Sequence, residues 1–109
     1  MSDSTTLRDL EDWYASNCRG DWAKSHGVRI ENIGNPGWKL TVDLEGTPLH
    51  DARFDEITVE RDDETDWYVC KREGSTVKGY CGPRNLGELL AAFLEWSALR
   101  LSLIHISEP

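Results

Sequence analysis

Residues 38–45 alternate with a strict period of two. Trp38, Leu40, Val42 and Leu44 fall on one side, and Lys39, Thr41, Asp43 and Glu45 on the other. Only an extended chain gathers such a set onto one face, so this stretch predicts a β-strand with one dry and one wet side. Turn chemistry bounds it. Pro36 presets φ for a turn, Gly37 is expected to take the positive φ that follows, and Gly46 and Pro48 end the strand. A half-buried strand of this kind needs partners at its edges and a cover for its dry face.

The remaining chain supplies both. Residues 6–18 read as a helix, with Thr6 as cap and Asp9 three residues on; Leu7, Leu10, Tyr14 and Cys18 share a face, and Trp13 lies at its margin. Arg19 suits the negative helix end, Gly20 the stop, and Trp22 is expected to tuck against the core. Val28 and Ile30 mark a short strand that pairs with residues 38–44 through the Pro-Gly turn. Further strands are expected at 54–60, 67–72 and 76–80, the last two joined by Glu73-Gly74-Ser75. Asn85, with Glu88 in the capping-box position, opens a last helix whose stripe is Leu86, Leu89, Leu90, Phe93, Leu94 and Ser97. The predicted class is α+β: an antiparallel sheet of about five strands, with an N-terminal and a C-terminal helix packed on one face. The other face is then wet, carrying Lys39, Thr41, Asp43, Glu45, Glu56, Thr58 and Glu60, joined by Tyr68, Arg72, Lys78 and Tyr80.

Residues 1–100 are read as a single domain. The segment Leu101-Ser102-Leu103-Ile104-His105-Ile106-Ser107-Glu108-Pro109 departs from the preceding stripe and resembles the translation of a sequencing-library adaptor, so it is expected to be non-native. Removing it deletes one acid, Glu108, and takes the net charge from −8 to −7. That sign argues against a nucleic-acid partner, since phosphate binding needs a basic footprint. It suits a basic protein partner or plain solubility. Three cysteines without a CxxC spacing point to free thiols in a reducing cytoplasm, and neither a signal peptide nor a membrane span is evident.

No catalytic motif stands out. His26 and His50 lack partners at ligand spacing, and a zinc site from Cys70, Cys81 and a distant histidine has no supporting pattern. Asp51, Asp55 and Glu56 could make an acid–base pair, but acids are common in this chain. Asp62, Asp63, Glu64 and Asp66 lack the glycine and final glutamate of a calcium loop and read as a solvated run. Gly82-Pro83-Arg84-Asn85, leading into a helix, could hold an anion or simply form a corner. No metal or cofactor is expected.

Four segments together resemble the Imm53 family of bacterial immunity proteins from polymorphic toxin systems. They are Leu10-Glu11-Asp12-Trp13-Tyr14 with Gly20-Asp21-Trp22; Asn35-Pro36-Gly37-Trp38; Asp43-Leu44-Glu45-Gly46-Thr47; and Gly79-Tyr80-Cys81-Gly82-Pro83-Arg84-Asn85-Leu86. The likeness spans nearly all of residues 7–97, with Cys81 standing where a second glycine is expected. The resemblance implies a small, non-enzymatic cytoplasmic protein that neutralises a toxin encoded by a neighbouring gene, a nuclease being one class that fits. It implies that Trp13, Trp22 and Trp38 are core and that Gly37 and Gly82 are backbone corners. Charge and strand alternation then nominate Asp43, Glu45, Glu56, Glu60, Asp62, Asp63, Glu64, Asp66 and Tyr68 as the toxin-binding surface. The alternatives are a small acidic adaptor or regulatory module, and behind it a small hydrolase.

Overall fold

In the computed structural model, residues 3–18, 27–34 and 36–106 are described. The expectations for Arg19, Gly20, Trp22, His26 and Asn35, and for the side chain of His105, lie outside them. The elements are α1 (Asp3–Ser16), β1 (Val28–Ile33), β2 (Gly37–Asp43), β3 (Ile57–Glu60), β4 (Trp67–Glu73), β5 (Thr76–Cys81) and α2 (Leu86–Ile106). The strands form one antiparallel sheet in the order β1-β2-β5-β4-β3. This is the expected α+β architecture. It joins a hairpin, β1-β2, to a meander, β3-β4-β5, through the central β2-β5 pair.

Register places one residue of each strand opposite the next. Leu40 stands against Gly79, Gly79 against Cys70, and Cys70 against Ile57, so these side chains share the covered face. Leu40, Val42, Cys70, Val77 and Cys81 are buried there beneath Leu89, Leu90 and Phe93 of α2. Each such aliphatic or aromatic side chain contributes roughly 1.5–3 kcal/mol by leaving water. Gly79 makes room for α2: a Cβ there would stand 2.6 Å from a methyl of Leu89. The buried thiols are pushed up, Cys70 to about 12 and Cys81 to about 11, chiefly because burial disfavours the thiolate.

Several local expectations are corrected. α1 begins at Asp3, ahead of the expected Thr6 cap. Leu10 and Trp13 of the helix and Asn17 just after it are buried, while Leu7, Tyr14 and Cys18 are exposed. The inward face is therefore rotated toward Trp13, whose ring meets Phe93 edge-on at 5.1 Å. Asn17 closes the helix by donating from its side-chain amide to the Trp13 carbonyl, 2.9 Å away. Gly37 does not take a positive φ; Gly27, Gly46 and Gly74 do. In the two-residue β4-β5 turn, Gly74 has φ +62° and Ser75 has a negative φ, the pattern of a type II′ hairpin.

β3 is shorter than the expected 54–60. Phe54 turns off the sheet and packs edge-on against Trp96 at 4.8 Å, while the Trp96 indole N–H donates to the Arg53 carbonyl at 2.7 Å. Residues 44–56 thus run from β2 to the far side of the sheet, burying Leu44, Thr47 and Leu49 on the way. Arg72 holds this crossing by donating to the His50 and Ala52 carbonyls.

Candidate functional site

The nominated acids do not form one surface. Glu56 immediately precedes the edge strand β3 and Glu60 ends it, and Asp62, Asp63, Glu64 and Asp66 follow in the loop to β4. Residues 55–66 contain seven acids and one base, so this edge is strongly negative. Asp43 and Glu45 lie at the end of β2, three strands away, roughly 14 Å across the sheet. Tyr68 stands opposite Cys81 on the covered face and is half-buried against the core, with Glu88 and Glu95 nearby raising its pKa after burial itself.

The open face also differs from expectation. Pairing Trp67 with Glu60 turns Trp67, Val69, Lys71 and Glu73 outward, which sends Tyr68 and Arg72 to the covered side. The outward charges at the centre are Lys39, Lys71 and Lys78, with Lys39 5.8 Å from the centre of the Tyr80 ring. Glu73 holds Lys71 and Lys78 at 3.3 and 3.1 Å. Among the nominated acids the contiguous group is therefore the β3 edge and its loop, and the middle of the wet face is basic and aromatic.

The loop is held by hydrogen bonds among its own side chains and to Asn85 and Glu88 at the start of α2. Asp63 accepts from both the amide and the hydroxyl of Thr65 at 2.8 Å, an Asx turn that holds its carboxyl below the usual range. Arg61 donates to Asp66 at 2.8 Å and to both carboxylate oxygens of Glu88 at 2.9 and 2.7 Å. The Asn85 amide donates to Asp66 and Glu88 at 2.8 and 2.7 Å. Asn85 also starts α2, its carbonyl accepting from the Leu89 amide at 2.9 Å. The expected capping box is replaced: the Asn85 N–H goes to the Gly82 carbonyl, and Glu88 instead receives Arg61 and the Asn85 side chain. This network lowers the pKa of Glu88, mainly through Arg61, and of Asp66, mainly through Asn85. Asp62 and Glu64, both exposed, are left pointing to solvent.

A depression of about 680 Å³ beside the loop is lined by Arg61, Asp63, Asp66, Arg84, Asn85 and Glu88. Its carboxylates, Asp63, Asp66 and Glu88, disfavour an anion at the Gly-Pro corner. The hydrolase candidates are dispersed: Asp55 is paired with Arg53 at 3.0 Å, and Asp51 points outward beside His50. Among the described residues, no cluster of three or more His, Cys, Asp or Glu is arranged to hold a metal.

A family model described as immunity protein 53 matches residues 7–98. The chain belongs to that family. The match runs from α1 into the second half of α2, ending before its last two turns, so the acidic edge and its supporting network lie inside the matched region. Comparison with curated proteins and with solved structures found no match. Membership supports an immunity role, which is to bind a cognate toxin. No helix among the described residues is long and apolar enough to cross a membrane. Sequence reasoning missed the tie between Arg61 and Glu88. Arg61, as the sole base among the acids of its loop, was the available signal, but its partner stands 27 positions away.

Proposed function

We propose that this protein neutralises a bacterial toxin, encoded by a neighbouring gene, by binding it in the cytoplasm without chemistry of its own. The observation that carries the reading is the immunity protein 53 match over residues 7–98. The contact surface is the β3 edge with its loop, centred on Glu56, Glu60, Asp62 and Glu64. Asp63 and Asp66 shape that loop; Asp43, Glu45 and Tyr68 stand outside its contiguous patch. A toxin with a basic cleft, such as a nuclease, is the partner this edge fits, because opposite potentials speed encounter and fix orientation. Rigid support lowers the ordering cost of binding.

Co-expression with the neighbouring toxin domain, scored by cell survival, tests the reading. Survival with the wild-type chain, lost with Glu56→Lys/Glu60→Lys at equal soluble protein, is the expected result. Cell death with wild-type protein against every neighbouring toxin would sink the immunity role. Survival unaffected by the double reversal would sink the acidic edge alone.

A further inference from the structure

We propose that two copies of this chain associate by antiparallel pairing of their β1 strands about a two-fold axis at Ile30. Among the described residues, no strand pairs with the outer side of β1. Ile30 aligns with Leu40 toward the covered face, yet it is 39 % exposed because α2 packs over β4 and β5 and leaves β1 beyond its cover. An open edge with an exposed isoleucine is a site at which sheets extend.

The backbone selects the registers available. The Asp43 amide donates to the Gly27 carbonyl at 3.1 Å, which marks that pair as hydrogen-bonded. Alternation then turns the N–H and C=O of Arg29, Glu31 and Ile33 toward β2 and those of Val28, Ile30 and Asn32 outward. An isologous pairing must join outward groups to outward groups. Centring the axis on Ile30 places Ile30 against its copy, as a hydrogen-bonded pair, and Val28 against Asn32 of the second copy.

Side-chain charge makes the choice. In the Ile30-centred register, Arg29 stands opposite Glu31 of the second copy and Glu31 opposite Arg29, at the close, non-hydrogen-bonded positions. Both side chains are exposed in the monomer. Shifting the axis by one residue to Arg29 puts two arginines together, and shifting it to Glu31 puts two glutamates together. Both shifted registers still join outward backbone groups, Val28 to Ile30 or Ile30 to Asn32 of the second copy, so the backbone permits all three and charge decides among them. The sequence Val28-Arg29-Ile30-Glu31-Asn32 is therefore self-complementary in one register. The product is a continuous ten-stranded sheet with a β3 edge at each end, so the toxin surfaces proposed above stay free.

A five-residue strand pair buries less than the ~1,200 Å² of a stable interface, which sets a weak dimer, with a dissociation constant on the order of 10⁻⁴ M. Sedimentation velocity from about 10 µM to about 1 mM spans that range. The expected result is a concentration-dependent monomer–dimer equilibrium, weakened at least about tenfold by Arg29→Glu or Glu31→Arg and restored when both are combined. Amide exchange should show Val28, Ile30 and Asn32 gaining protection with concentration, while Arg29 and Glu31 are protected throughout. A chain that is monomeric across the range overturns the proposal. So does a dimer indifferent to the single reversals, or one not restored by the double. Loss of toxin neutralisation in the single variants would instead assign the β1 edge to the toxin and likewise overturn it, whereas failure of the β3 reading alone leaves self-association unchanged.

Discussion

A Cβ on Gly82 would sit 1.9 Å from the Thr65 carbonyl oxygen, and one on Gly37 would sit 2.1 Å from that of Cys81. These two glycines meet where the sheet hands the chain to α2, and there the need is closeness of backbones rather than an unusual φ. Gly82→Ala is expected to cost about 3 kcal/mol or more in urea unfolding, since backbone must move. Gly34→Ala, with nothing within 4 Å of the added carbon, is expected to change stability by less than about 0.5 kcal/mol. The Arg61 network has its own signature. Asp63, Asp66 and Glu88 have folded pKa values held below their ordinary ones, by Thr65, Asn85 and Arg61 respectively. The stability they lend is thus complete above their unfolded values near pH 4 and lost as pH falls through the folded values. The urea midpoint should fall between about pH 5 and pH 2, and Arg61→Met should flatten that fall by releasing Glu88 and Asp66.

At the scale of elements, clean periodicity was readable and mixed periodicity was not. β2 alternates in sequence from Trp38 onward, so the burial of Leu40 and Val42 and the pairing with β1 were legible, although Trp38 at its start is only half-buried. β4, Trp67-Tyr68-Val69-Cys70-Lys71-Arg72-Glu73, carries bulky or apolar groups on both faces. Its parity is fixed only by pairing with β3 and β5, which is why alternation alone places Tyr68 and Arg72 on the wrong side. In α1, stripes through Leu7 or through Trp13 both fit a helical repeat; contact with Phe93 selects the second. Trp13→Ala is accordingly expected to cost about 3–5 kcal/mol, whereas Leu7→Ala, at a position 55 % exposed, should cost under about 0.5 kcal/mol in the same unfolding assay. The truncated β3 had no local signal, because Phe54 leaves the strand for Trp96, 42 residues away in sequence. The candidate site was legible as composition, a run of acids, but not as geometry. Which acids share an edge depends on strand order, and β3 lies farthest from β2 on that side of the sheet.

At the scale of the molecule, the net charge of −8 is unevenly placed. The β3 edge is acidic, the centre of the open face is basic with Lys39, Lys71 and Lys78, and α2 closes the other face. The proposed binding of a basic toxin through an edge rather than a broad face would make the interface depend on few residues and on ionic strength. Calorimetric titration of the neighbouring toxin domain, at low salt and at about 0.5 M salt, tests that claim directly. The account predicts affinity that drops with salt and drops by at least about tenfold further in Glu56→Lys/Glu60→Lys, with Glu45→Lys at the far corner close to wild type. Equal affinity for all three proteins, unchanged by salt, would contradict it.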